Sequence, residues 1–118
     1  MTKSPQASST VILVTNNGMG KADVELQQKL IGIFLSLVDE HSYLPAAICF
    51  YTEGVKLVVE GSPILIHLKS LEARGVRLIV FQTCLNYSHL AEKVQVGIVG
   101  GMANIPEAQW QADKVITL

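Results

Sequence analysis

Apolar residues fall along this chain in two alternating patterns, short unbroken runs and longer helix-length segments, and the alternation predicts repeated βα units. The first run, Val11-Ile12-Leu13-Val14-Thr15, reads as a strand. It ends in Asn16-Asn17-Gly18-Met19-Gly20, a turn-forming cluster whose glycines tolerate positive φ. Asp23 then caps a helix running to about Glu40. In that helix Glu25, Gln28, Lys29, Ser36, Asp39 and Glu40 form a polar stripe, while Leu26, Leu30, Ile31, Ile33, Phe34, Leu35, Leu37 and Val38 cover the rest. One sheet face takes an apolar arc of about 100°. The surplus, with Phe34 in it, predicts burial against a second subunit and hence a homo-oligomer.

Residues 46–51 form a continuous apolar run, as a parallel strand covered on both faces requires. Residues 55–60 carry both signals, valines for a strand and short spacing for a helical turn, and the turn is the reading adopted. Ser62-Pro63 predicts an N-cap followed by proline at the first helical position, with Gly75 as the stop after Leu65, Leu68 and Leu71. Residues 77–81 read as a third strand leading into Gln82-Thr83-Cys84, followed by a short helix within 85–94. A fourth strand over 95–99 ends at Gly100-Gly101, and a helix over 106–112 leads to a last strand, 114–118. The expected fold class is α/β: a single three-layer domain with a mostly parallel sheet of about five strands flanked by helices. The expected organisation is a flexible N-terminal segment, 1–10, and one domain, 11–118.

Composition narrows the function classes. At 118 residues, 49% hydrophobic and 16% charged, the chain can bury a core without disulfides or metal. Nine Lys and Arg against ten Asp and Glu are scattered, for a net charge of −1, so no electrostatic footprint for nucleic acid is visible. The apolar run behind the polar first ten residues is too short for a signal-peptide core. The longest nearly apolar stretch, 43–51, contains Pro45 and is about half of the roughly 18 residues a membrane span needs. These features predict a cytoplasmic protein without a membrane partner, whose two cysteines, Cys49 and Cys84, are reduced thiols.

Parallel strands joined by right-handed crossovers bring every strand-to-helix loop to one edge of the sheet, where ligands of open α/β sheets bind. That edge gathers residues 16–20, 52–54, 82–86 and 100–102, and Cys84 is its one strong nucleophile. A thiol of ordinary pKa is only about 3% thiolate at pH 7, and placement at a strand-to-helix passage, facing unpaired N–H groups, raises that fraction. A free cysteine is more often a small apolar residue, and Cys49, between Ile48 and Phe50 in mid-strand, is read as core. The segment Asn16-Asn17-Gly18-Met19-Gly20-Lys21 lacks the glycine spacing and Lys-Ser/Thr pair of a phosphate loop. His41, His67 and His89 show no metal-ligand spacing, so neither metal nor cofactor is expected. A Cys84–His89 hydrolase pair has no evident third residue to orient it.

Three segments carry a resemblance. Residues 50–62 (Phe-Tyr-Thr-Glu-Gly-Val-Lys-Leu-Val-Val-Glu-Gly-Ser), Gln82-Thr83-Cys84-Leu85-Asn86-Tyr87 and Ala112-Asp113-Lys114-Val115-Ile116 resemble, in order and spacing, the DsrE-like domain of the YedF group, sulfurtransferase-like proteins of selenium metabolism. The resemblance extends over almost the whole chain from Val11. It implies a DsrE/DsrF-like fold assembled as a trimer or hexamer, in which Cys84 matches the cysteine that carries sulfur, or selenium, as a persulfide between a donor and an acceptor protein. Gln82 stands where the group has glycine, Asn86 where it has an acidic residue, and Gly101 where it tends to have Asn. The TusA-like domain with a Cys-Pro motif that precedes this domain in YedF proteins is not in this sequence, so the donor, possibly TusA-like in that group, is expected to be a separate protein. Asn16, Asn17, Gly18, Thr52, Thr83, Asn86 and Gly100 are the expected substrate-binding positions around Cys84. The alternative, from a different class, is a non-catalytic oligomeric subunit or small-ligand-binding module using the same edge.

Overall fold

The structure is a computed structural model that describes residues 9–101 and 103–118. Residues 1–8, most of the expected N-terminal segment, and Met102 lie outside the described residues. Five strands, β1 (Thr10–Val14), β2 (Ala47–Phe50), β3 (Arg77–Phe81), β4 (Ile98–Gly100) and β5 (Lys114–Thr117), form one sheet in the order β4-β3-β2-β1-β5. Every pairing is parallel. The helices are α1 (Val24–Glu40), α2 (Leu65–Ala73), α3 (Gln82–Tyr87) and α4 (Asn104–Gln111), with 3₁₀ segments at Thr52–Val58 and Ala91–Lys93. Among the described residues no helix is long and apolar enough to cross a membrane.

The unbroken apolar runs of the central strands are explained by burial on both faces. Ile12, Val14, Ile48, Phe50, Leu78 and Val80 point to one side and pack with Ile31 and Leu35 of α1, Leu68 and Leu71 of α2, and Leu85 of α3. Val11, Leu13, Ala47, Cys49 and Ile79 point to the other and are covered by Ile105 of α4, with Ala108 and Ala112 beside it. Three helices therefore share one face and a single short helix serves the other. Thr10, read from sequence as part of the leading segment, is the first residue of β1 and is buried.

Local chemistry explains where elements begin and end. The turn after β1 folds back on α1: the Met19 N–H donates to the Gln27 carbonyl at 2.9 Å, and Gln27 Oε1 accepts the Ala22 N–H at 2.9 Å. Gly18, at φ +140°, lies where any Cβ would collide with the Gln27 backbone, so this position requires glycine. Asp23 stands at the N-cap, but its side chain makes no capping bond, so Gln27 does the holding.

Several boundaries differ from the sequence reading, among them the start of α4, at Asn104 rather than Pro106. The second helix begins at Leu65 rather than at Pro63, and Ser62 Oγ instead accepts the Ile64 N–H at 3.3 Å in the turn before it. Residues 95–96 do not belong to β4, because the preceding segment pairs elsewhere: the Gln95 N–H donates to the Val58 carbonyl at 2.8 Å, and Val94 bridges Val59. Gly97, at φ +92°, then redirects the chain into a shorter strand. The third helix starts directly after β3, three residues earlier than expected, and the chain leaves helical geometry at His89, which has φ +57°. Residues 52–58 adopt the helical turn, in 3₁₀ form.

Candidate functional site

The passage from β3 into α3 lacks a connecting loop, so Cys84 is the third residue of a helix and sits just beyond the C-terminal end of β3. The neighbouring strand, β2, ends beside it, and the chain there turns sharply at Thr52, which has φ +51°. That conformation is unfavourable for a β-branched residue, at a cost of about 1–3 kcal/mol, and persists only where surroundings impose it. Here they do. Thr52 Oγ1 donates toward the Thr15 carbonyl at 2.5 Å, with the Tyr51 carbonyl at 2.7 Å, and the Tyr51 N–H donates to the Val14 carbonyl at 3.1 Å. Gly54 lies against the same Val14 carbonyl, with no room for a Cβ.

The result of this tethering is that the Thr52 backbone N–H points at Cys84 Sγ, 3.1 Å away. The contact holds the sulfur against the loop that follows β2. This donor comes from the loop after the adjacent strand, whereas the sequence pointed to unpaired N–H groups at the strand-to-helix passage. The sulfur is partly exposed and opens onto a recess of about 340 Å³ lined by Thr52, Glu53, Thr83, Cys84, Tyr87 and Ser88. Thr83, Cys84 and Tyr87 of α3 and its C-cap Ser88 recur at helical spacing, so one face of that helix forms a wall of the recess. Tyr87 stands 87% exposed at its rim.

Cys49 provides the contrast. It is fully buried in the middle of β2, and burial pushes its thiol up to about 11, against a smaller lowering by Arg77. It is therefore a neutral thiol, sealed from reagents at physiological pH.

Of the expected binding positions, Thr52, Thr83 and Cys84 share the recess, whereas Asn16, Asn17, Gly18, Asn86 and Gly100 do not line it. The asparagines of the first turn work within the fold: Asn16 Nδ2 donates to the Gly20 carbonyl at 2.8 Å, and Asn17 Oδ1 accepts from Gln28 Nε2 at 3.2 Å. Gly100 is buried against Ile79 and Asn104, and Asn86 is exposed on α3 outside the recess lining. Glu53, placed at this edge by the sequence but not named as a binding position, also lines the recess, as do Tyr87 and Ser88. For the last two the available signal was their spacing of four from Thr83 and Cys84. His89 is not in the lining, so the recess offers Cys84 no histidine. Among the described residues, no three His, Cys, Asp or Glu side chains gather where they could hold a metal ion.

No family model matches the sequence, and no curated protein does. Solved structures do match in fold. The ychN protein from E. coli superposes with a TM-score of 0.67 at 19% identity, covering 92% of this chain and 98% of its own. MTH1491 from Methanobacterium thermoautotrophicum, a protein of unknown function, superposes with a TM-score of 0.67 at 18% identity, covering 92% and 97%. This chain shares their fold, a five-stranded parallel sheet flanked by helices.

Proposed function

We propose that, on this shared fold, the chain is a sulfur carrier that relays persulfide sulfur through Cys84 between partner proteins. The observation that carries the reading is the pairing of one partly exposed thiol, held 3.1 Å from a fixed N–H in an open recess, with a second thiol sealed in the core. Loading is a thiol exchange. The Cys84 thiolate attacks the terminal sulfur of a donor persulfide, the new bond forms between Cys84 Sγ and that sulfur, and the donor's S–S bond breaks to release its thiolate. Discharge repeats the exchange: an acceptor thiolate takes the terminal sulfur and Cys84 leaves as thiolate. No electrons are gained or lost overall and no cofactor is consumed. The Thr52 N–H supports the negative sulfur at the start and end of each cycle.

The same reading keeps the protein in the cytoplasm, where thiols stay reduced. It takes sulfur or selenium from a donor protein of TusA-like type and assembles the chain as a homo-oligomer. The recess is open enough for a donor's cysteine-bearing segment to approach. Labelled sulfur from a persulfide donor tests the proposal: wild type and Cys49→Ala should take up label equally, and Cys84→Ser should take up none. Uptake by Cys84→Ser would overturn it. If Cys84 in the folded protein also resists alkylation at neutral pH, the non-catalytic binding subunit becomes the better account.

A further inference from the structure

The recess around Cys84 has a charge character that thiol exchange by itself does not require. Of the residues lining it, Glu53 alone carries a charged side chain apart from the thiol, and no Lys, Arg or His is among them. The Glu53 carboxylate pairs with Lys56 Nζ at 2.5 Å, three residues on in the same 3₁₀ segment. Both side chains are well exposed, and an exposed pair of this kind is worth little, so Lys56 orients the carboxylate and leaves it open to other cations. The α3 wall adds the ring of Tyr87, which stands free at the rim. A recess of about 340 Å³ is small enough for one bound segment to meet both groups. A carboxylate attracts an ammonium or guanidinium by charge, and an aromatic face attracts it through the ring quadrupole. The same carboxylate repels anions, and small inorganic sulfur donors such as thiosulfate are anions.

We infer that the recess selects its sulfur donor by charge, taking a cysteine persulfide flanked by Lys or Arg, whose cation Glu53 binds together with the Tyr87 ring, and turning anionic donors away. This names the partner's chemistry for the relay proposed above and rests on that reading for the sulfur itself. The chain places the selector next to the chemistry. Glu53 follows Thr52, whose N–H lies 3.1 Å from Cys84 Sγ and whose hydroxyl anchors the turn to the end of β1. A cation seated on Glu53 therefore lies one residue from the group that holds the sulfur, as a basic residue adjoining a donor cysteine would. Complementary charge acts mainly on encounter and orientation, so the selection is read in rates.

Three peptides test it: Gly-Xaa-Cys-Xaa-Gly with Xaa as Lys, Ser or Glu, each activated as its 2-thiopyridyl mixed disulfide. Cys84 attacks the peptide sulfur, the S–S bond breaks, and thiopyridone leaves with the proton, so its release follows the rate. Each rate is divided by that of 2-mercaptoethanol with the same peptide, which removes intrinsic reactivity. At low ionic strength the Lys peptide should react at least about fivefold faster than the Glu peptide, and about 0.5 M salt should narrow the gap. Glu53→Gln should cut the Lys-to-Glu ratio at least about threefold and Tyr87→Leu about twofold, both with unchanged circular dichroism. Equal normalised rates for the Lys and Glu peptides, or a ratio that Glu53→Gln leaves intact, would overturn the inference. The wild-type comparison decides even if a variant fails to fold. A chain that discriminates among the peptides but takes up no persulfide sulfur contradicts the relay alone, and one that takes up sulfur without discriminating contradicts the charge selection alone.

Discussion

Thr52 is the residue on which the geometry of the sulfur turns, and its side chain acts at a distance from it. The hydroxyl holds a left-handed turn that aims the backbone N–H at Cys84. Thr52→Val keeps the branched shape and removes the anchor. It should lower stability in a denaturant melt by about 1–2 kcal/mol and slow alkylation of Cys84 at neutral pH severalfold. An unchanged alkylation rate would mean that the N–H is not held by this hydroxyl. Cys84 itself was legible from sequence, because a nucleophile at the end of an apolar run must fall at the sheet's C-terminal edge. Thr52 was legible only as a neighbour at that edge, since nothing in its sequence announces a positive φ where glycine is the usual occupant. The asparagines Asn16 and Asn17 look equally suited to ligand binding, yet their side chains close a turn, and only the fold distinguishes those two uses of an amide.

At the scale of elements, the parallel strands were readable because burial on both faces leaves unbroken apolar runs, as in Ala47–Phe50. The short elements were less so, because their limits depend on partners distant in sequence. Strand β4 begins at Ile98 only because residues 94 and 95 are engaged by 58 and 59. Gly97 makes the redirection, and a Cβ there would meet the Leu78 carbonyl and Val80 Cγ2, each at 3.1 Å. Gly97→Ala should therefore cost more than about 1 kcal/mol, seen as a lower denaturation midpoint at unchanged slope. Helices α1 and α2 are joined through Asp39, which accepts from Ser70 Oγ at 2.6 Å and pairs with Arg74, while Arg74 also reaches Ser42 Oγ at 2.9 Å. The Ser70 hydrogen bond first, then that of Arg74, holds the Asp39 carboxyl below its ordinary 3.8. A depressed carboxyl stabilises the fold above its unfolded value and loses that contribution as pH falls through the folded one. Asp39→Asn should accordingly be less stable than wild type at neutral pH, with a gap that stays constant down to about pH 4 and closes below it. A gap independent of pH down to 2 would remove the ion pair from the account.

At the scale of the whole molecule, the C-terminal edge gathers the thiol recess between the ends of β2 and β3, and the outer side of α1 leaves Leu26, Leu30, Ile33 and Leu37 exposed. The surplus of apolar positions on α1 was visible in the sequence. Which of them would remain outside was not, because that depends on where α2 and the sheet edge fall around the helix. The central claim concerns the two thiols, and it is tested most directly by peptide mass spectrometry of the native protein after incubation with a persulfide donor. The account predicts one added sulfur atom on the peptide bearing Cys84, removed again by an acceptor thiol, and none on the peptide bearing Cys49. A Cys84 peptide without added sulfur, or equal loading of both cysteines in the folded protein, would contradict it.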